Sequence, residues 1–241
     1  MKTVLLTVSL LLLAEQVSIA QETFKIQNAS KYYDLTVQVA VCGGKEKFNM
    51  PNICGGAGRV SIFRKDVLSP FQVITLKNIE VNKEQLAFNP GIDKRSRKLY
   101  DDEYSFIFGD FNFDGKEDLA ICNGRNGGYG GPSYSVYLYN SRLNKFVENK
   151  RLSELTEGHL GLFYVDSRRK QITAFSKSGC CYHETEIYKV LNNKPVLVEK
   201  VTEEASGSDE TGYDVLVTTR KLVGGRWIKR VRKEKVKEES P

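Results

Sequence analysis

An acidic loop between two apolar segments places the strongest constraint on how this chain can fold. The loop spans residues 110–118 and carries oxygen-bearing side chains at positions 1, 3, 5 and 9, with Gly115 at position 6. Carboxylates this close repel one another unless a cation lies between them. The spacing therefore predicts a Ca²⁺ site formed by the side chains of Asp110, Asn112, Asp114 and Asp118 and the backbone carbonyl of Lys116. The alternative is an acidic β-turn that needs no metal.

The segments on either side of the loop predict strands, not the helices of an EF-hand. Residues 104–108 and 119–122 are short, apolar and rich in aromatic or β-branched side chains. Position 12 of the loop is Ile121, where an EF-hand has a bidentate Glu. We expect the calcium to be structural and not catalytic, because ligands from the protein leave little room for a substrate.

Alternating apolar and polar residues predict hairpins along much of the remaining chain. Ser133 to Tyr139 alternates in this way, and the last hairpin has Gly224-Gly225 at its turn. Even spacing of the hairpins predicts an all-β fold, as a small β-propeller or a sandwich, with one helical turn at residues 152–155. Residues 21–241 contain no linker and are predicted to form one domain, which ends in a charged tail at about residues 232–241.

The first 20 residues predict a signal peptide. Lys2 precedes an apolar stretch, and Ser18-Ile19-Ala20 has small residues at the positions that a signal peptidase reads. We expect a periplasmic or secreted protein without membrane insertion, because no later segment is long and apolar enough to span a bilayer. The formal net charge of +6 is modest, and without a recognisable motif it does not predict nucleic-acid binding.

Five cysteines in an exported chain predict disulfides. Cys42 ends one predicted strand and Cys54 begins the next, so a bridge between them closes the connecting loop. Cys180 and Cys181 are adjacent, and either they bond to each other or one of them reaches Cys122. An odd count leaves at least one thiol outside the intramolecular bridges.

Several stretches resemble a family of exported bacterial proteins with a calcium-binding, propeller-like β fold. The calcium loop, preceded by Phe108-Gly109, is similar to the loops of FG-GAP, integrin-alpha-type β-propellers. Residues 129–139, 172–184 and 218–227 carry the rest of the resemblance. The family includes periplasmic immunity proteins that neutralise lysozyme-like effectors, so the resemblance implies a non-enzymatic inhibitor of a peptidoglycan hydrolase.

A second likeness suggests which residues contact that enzyme. Ser178, Gly179 and Tyr182 fit the Ser-Gly-x-x-Tyr pattern that several bacterial lysozyme inhibitors insert into the enzyme's cleft. With Tyr129 from the Gly-rich segment and His183, they form the predicted partner-binding set. The implied mechanism is occlusion, in which a preformed loop fills the glycan cleft and hydrogen-bonds the catalytic carboxylate.

The sequence also bears on two other function classes, an enzyme and an adhesion module. Catalysis is not expected, because neither His159 nor His183 lies in a recognised nucleophile motif and no Gly-x-Ser-x-Gly elbow is present. The alternative to an inhibitor is a calcium-dependent adhesion or glycan-binding module, which the integrin-like loop alone suggests.

Overall fold

The computed structural model describes residues 22–42, 52–88, 104–209 and 212–236, which form three open β-sheets and one α-helix. The predicted signal peptide lies outside these ranges, and so do residues 89–103, which precede the first strand beside the calcium loop. No helix in the described part is both long and apolar enough to cross a membrane.

The first sheet has four antiparallel strands in sequence order. They are β1 (Glu22–Ile26), β2 (Tyr33–Cys42), β3 (Ile53–Arg64) and β4 (Gln72–Asn82). Alternate residues of β2 are buried, as the apolar and polar alternation of the sequence predicts. The Cys42–Cys54 disulfide joins directly paired residues of β2 and β3, and this prediction is confirmed.

The middle sheet has five strands and contains the predicted calcium loop. They are β5 (Ala87–Phe88), β6 (Phe106–Gly109), β7 (Asp118–Gly124), β8 (Ser133–Asn140) and β9 (Lys145–Glu148). Only β5 pairs in parallel, with β6. The loop connects β6 to β7, and a hairpin continues into β8 and β9. The predicted helical turn extends to two turns as α1 (Lys150–Glu157), whose N-cap is the Asn149 side chain.

The third sheet has six antiparallel strands, again in sequence order. They are β10 (Tyr164–Asp166), β11 (Gln171–Ser178), β12 (Tyr182–Leu191), β13 (Lys194–Asp209), β14 (Gly212–Val223) and β15 (Arg226–Val236). β15 is an edge strand whose residues are all exposed. It extends to Val236, so residues 232–236 of the predicted charged tail belong to this exposed strand, and residues 237–241 lie outside the described ranges.

The middle sheet is buried on both faces. Phe106, Phe108, Leu119 and Ile121 pack with the first sheet in one core, whereas Ile107, Ala120 and Cys122 pack with α1 and the third sheet in another. A strand covered on both faces needs no polar alternation, which explains the continuous apolar runs beside the calcium loop. The three sheets therefore form three layers around two cores.

The all-β prediction and the consecutive hairpins are confirmed. The propeller-like arrangement is not confirmed, because the described strands form three open sheets and no closed ring.

Candidate functional site

The residues of the calcium loop turn their side-chain oxygens towards the loop's own backbone. Asp110 Oδ1 accepts a hydrogen bond from the Asp114 amide at 3.0 Å, and its Oδ2 accepts one from the Gly115 amide at 2.9 Å. Asp114 Oδ1 accepts from the Lys116 amide at 2.9 Å. Phe113 and Gly115 adopt positive φ angles of 63° and 81°, which bend the chain around these side chains.

Asp118 is the buried member of this group. Its side chain lies at the start of β7, is fully buried, and accepts hydrogen bonds from the amides of Phe111 and Tyr139, both at 2.8 Å. Burial raises the pKa of Asp118 to about 8, and the negative charges of Asp114 and Asp110 add to this effect. No ion pair between described residues joins these three carboxylates to a lysine or arginine.

The donor set of the loop fits a hard divalent cation. Three carboxylates and the amide oxygen of Asn112 offer oxygen ligands, and no ion pair between described residues neutralises these carboxylates. A different group, Glu22 with Cys42 and Cys54, also has ligand atoms within 4.8 Å of one another. That group is a poor metal site, because both of its sulfurs are in a disulfide and are not thiolates.

The calcium loop contacts both neighbouring sheets. The Asn112 side-chain amide donates to Asn193 Oδ1 at 2.9 Å, in the turn between β12 and β13. On the other side, burial raises the pKa of Glu117, while hydrogen bonds from Ser30 and from the backbone of Lys31 oppose that rise. Hydrogen bonds therefore join this loop to the turn between β12 and β13 and to the segment between β1 and β2.

The predicted Ser-Gly-x-x-Tyr segment forms the tip of the β11–β12 hairpin. Ser178 pairs with Tyr182, so Gly179, Cys180 and Cys181 make up the connection, and all three are exposed. A disulfide joins Cys180 to Cys181, which resolves the alternative left open by the sequence, while Cys122 remains a buried thiol. The tip is therefore short and covalently constrained.

The Gly-rich segment reaches this tip. The Gly179 amide donates a hydrogen bond to the Tyr129 hydroxyl, across 50 positions of sequence. The Lys177 ammonium lies 5.3 Å from the centre of the Tyr129 ring, within the range of a cation–π contact. Tyr129 is 65% exposed and has a φ of 55°, so the ring supports the tip without being buried.

The other two residues of the predicted partner-binding set, Tyr182 and His183, point to opposite faces of β12. The Tyr182 hydroxyl donates to Glu184 at 2.7 Å, whereas His183 lies on the opposite face of β12, 3.8 Å from the Glu203 carboxylate. The structure thus assembles Tyr129, Ser178 and Gly179 and separates Tyr182 from His183.

A polar network beneath the tip was missed by the sequence analysis. Glu186 accepts hydrogen bonds from Lys200 at 3.1 Å and Tyr188 at 2.5 Å, and its carboxylate lies 3.1 Å from His159 Nε2. Lys200 also bonds Glu184 at 2.7 Å. The signal was present in the sequence: alternation places Glu184 and Glu186 on the same face of β12 as the buried Tyr188, and two carboxylates there require partners.

A groove of about 590 Å³ runs beside the tip over β12 to β15. The Cys180–Cys181 disulfide, His183 and Glu203 line one side, and Tyr213 and Glu234 line the other. The surface available to a partner therefore includes a concave part next to the projecting tip.

Comparison with known proteins finds one kind of similarity, to the solved structure of a secretion-related protein. No protein-family model matches the chain, and no curated protein matches it. Among solved structures, the chain is similar to a Xanthomonas Type IV secretion system related protein, with 25% identity and a TM-score of 0.65 over 90% of this chain and 96% of that chain.

Proposed function

We propose that this protein is an exported, calcium-binding inhibitor of a lysozyme-like peptidoglycan hydrolase, in which the β11–β12 tip occludes the enzyme's cleft. The observation that carries the proposal is the hydrogen bond between Gly179 and Tyr129. It ties an exposed tip to a second segment of the chain, and a tip ordered before binding loses less conformational entropy in the complex.

The likeness to a secretion-related protein is compatible with this role. Export, which the predicted signal peptide implies, agrees with similarity to a protein described as related to a secretion system. The resemblance described above contributes the target class, a hydrolase delivered by a rival bacterium.

Calcium has a structural role in this proposal. Asp110, Asn112, Asp114 and Asp118, with the Lys116 carbonyl, would hold the ion, which supplies positive charge next to carboxylates that form no ion pair with a described lysine or arginine. Through Asn112 and Asn193, the loop is joined to the β12–β13 turn, at the end of β12 opposite the tip. The ion is therefore expected to stabilise the sheet that presents the tip, without contacting the enzyme.

The test is an inhibition assay against a panel of lysozyme-like hydrolases, with Tyr129→Phe as the diagnostic variant. Loss of a single neutral hydrogen bond costs about 1 kcal/mol, so we expect inhibition to weaken about fivefold. Tyr32→Phe is the matched control, because Tyr32 is also exposed, at 52%, and lies directly before β2, in a part of the chain that the proposed contact does not use. A tip variant that combines Ser178→Ala with Gly179→Pro should abolish inhibition.

Full inhibition by the tip variant would refute occlusion by this hairpin. Binding to a polysaccharide or surface protein, with no inhibition of any hydrolase, would instead favour the calcium-dependent adhesion module. Affinity capture with the wild-type protein, in calcium and in chelator, distinguishes these outcomes by identifying the bound partner.

A further inference from the structure

The β14–β15 hairpin carries a positive charge equal to that of the whole protein. Between Gly212 and Val236 it has eight lysines and arginines against Asp214 and Glu234, a formal charge of +6, and the full chain also has a formal net charge of +6. Acidic and basic residues outside the hairpin therefore balance. The excess charge is concentrated at one exposed edge of the third sheet.

Internal ion pairs neutralise only part of this charge. Lys221 and Lys233 pair with Glu199 and Asp214, each at 2.8 Å, and Arg232 pairs with Glu234 at 2.5 Å. Four other cations take part in no ion pair between described residues: Arg220, Arg226, Lys229 and Arg230.

Two of these cations directly oppose each other. Arg220 and Lys229 are paired positions of β14 and β15, and like charges at such positions destabilise a hairpin. An anionic partner that binds between or beside them relieves this repulsion.

The end of the hairpin is apolar as well as basic. Gly224 and Gly225 form the turn, and next to it Val223, Trp227 and Ile228 are 50%, 48% and 45% exposed. Residue alternation places Trp227 on one face of the hairpin and Val223 with Ile228 on the other. The turn end of the β14–β15 hairpin therefore presents apolar side chains on both of its faces.

Protection of a sheet edge explains only half of this pattern. Lysines and arginines on an edge strand prevent unwanted pairing with another chain, and β15 has such residues along its length. Edge protection gives no reason for three large apolar side chains around the turn, because these increase the tendency to associate.

We infer that the turn end of the β14–β15 hairpin, defined as Val223 to Ile228, docks into the surface of an anionic phospholipid bilayer. A flat protein surface covers only one face of a hairpin, whereas a bilayer interface surrounds the turn end and covers the apolar side chains on both faces. The Arg220–Lys229 pair lies about 10 Å behind the turn, a distance comparable to the depth that interfacial segments reach, so its charges fall at the level of the lipid phosphates.

The contact is peripheral and does not require the chain to cross the membrane. Arg226 at the turn extends its charged end towards the headgroups while its alkyl stem stays with the apolar residues. Trp227 suits the same position, since an indole ring has an apolar body and one polar N–H. This inference stands apart from the proposed inhibition, because it uses none of the tip residues of β11–β12.

Trp227 makes the inference directly testable, because it is the only tryptophan in the chain. Its fluorescence should shift to the blue with vesicles of equal parts phosphatidylglycerol and phosphatidylcholine, and brominated acyl chains should quench it. Vesicles of phosphatidylcholine alone should produce neither effect. The variant Arg220→Glu with Lys229→Glu should bind at least about 25-fold more weakly, at about fivefold for each basic residue lost near an anionic surface.

The matched control is Arg168→Glu with Lys170→Glu, which makes the same change in net charge at the exposed β10–β11 turn. It should bind like the wild type. Val223→Ser with Ile228→Ser leaves every charge in place and should weaken binding and reduce quenching, with folding checked by circular dichroism. An absent fluorescence shift, an equal loss in the control, or binding without quenching by brominated lipid would each overturn the inference.

Discussion

The imidazole of His159 lies 3.1 Å from the carboxylate of Glu186 and joins the end of α1 to the third sheet. The other ring nitrogen, Nδ1, lies 2.6 Å from the carbonyl of Leu155 in the helix. Glu186 also accepts hydrogen bonds from Tyr188 and Lys200, so one half-buried carboxylate connects β12, β13 and the end of the helix. This connection holds the segment that follows α1, including Leu160, against β11.

The first prediction concerns acid stability. The hydrogen bond from His159, helped by Tyr188 and Lys200, lowers the pKa of Glu186 to about 2 from 4.5. Because the folded pKa is below the unfolded one, the stabilisation is present above pH 4.5 and is lost as the pH falls towards 2. We expect this shift in the pKa of Glu186 to contribute roughly 3 kcal/mol to the free energy of unfolding at pH 7. Urea unfolding of Glu186→Gln between pH 2 and 7 should show a flatter profile than that of the wild type. The exposed Glu154→Gln should keep the wild-type profile.

The second prediction concerns the Cys42–Cys54 disulfide. The bridge spans 12 positions of sequence, and its removal should lower the free energy of unfolding by about 3 kcal/mol, since the unfolded chain gains freedom. The variant with serine at both positions is compared with wild type by urea unfolding. Serine at both Cys180 and Cys181 is an internal control, because a bridge between adjacent residues closes almost no chain. A larger effect of the second pair would contradict the chain-entropy explanation.

The third prediction concerns calcium. A ligand present at 100 times its dissociation constant stabilises the folded state by about 2.7 kcal/mol, so calcium should raise the unfolding midpoint of the wild type measurably. Asp114→Ala should remove most of that increase. Asp166→Ala, which removes a carboxylate from the β10–β11 turn, should retain it. The same calcium response in Asp114→Ala and wild type would show that the loop is an acidic turn without a metal.

The fourth prediction concerns close packing at Gly58 in β3. A Cβ atom at this position would lie 2.3 Å from Ile79 Cγ2 and 2.8 Å from the carbonyl oxygen of Gln38. Gly58→Ala should therefore destabilise the first sheet by about 1–3 kcal/mol, measured by thermal unfolding. Gly158→Ala is the control, since no atom lies within 4 Å of its added Cβ. Equal melting temperatures for the two variants would refute the steric argument.

Local patterns predicted most of the strands and their pairing. Turn residues such as Gly224-Gly225 and Asn192-Asn193 sit where the hairpins reverse, because they tolerate positive φ. The same reasoning located the acidic loop between β6 and β7 and the Cys42–Cys54 bridge. The arrangement of the sheets was not predictable in this way, since it depends on contacts between residues far apart in sequence, such as Tyr33 stacked on Phe108 at 6.0 Å.

The candidate site was predicted in part. The Ser-Gly-x-x-Tyr pattern grouped Ser178, Gly179 and Tyr182 in one loop, and in the structure these residues lie at the tip of the β11–β12 hairpin, which was not predicted. It did not reveal that the hydroxyl of Tyr182 bonds Glu184, because a linear pattern carries no information on the face that each side chain occupies. The contact of Lys177 with Tyr129 was missed for a similar reason: the two segments are distant in sequence, and only the fold brings them together.

Burial of the middle sheet on both faces has a consequence for how its strands align. In most sheets, a shift of one residue exposes apolar side chains to water, and that penalty fixes the alignment. Here such a shift would only exchange Phe108 and Ile107 between two buried cores. Apolar side chains would stay out of water in both registers, so the hydrophobic effect hardly favours one register over the other. The buried carboxylate of Asp118 can discriminate, because it accepts the amides of Phe111 and Tyr139 in one alignment only. A single acidic side chain thus fixes the register of β7 relative to its neighbouring strands.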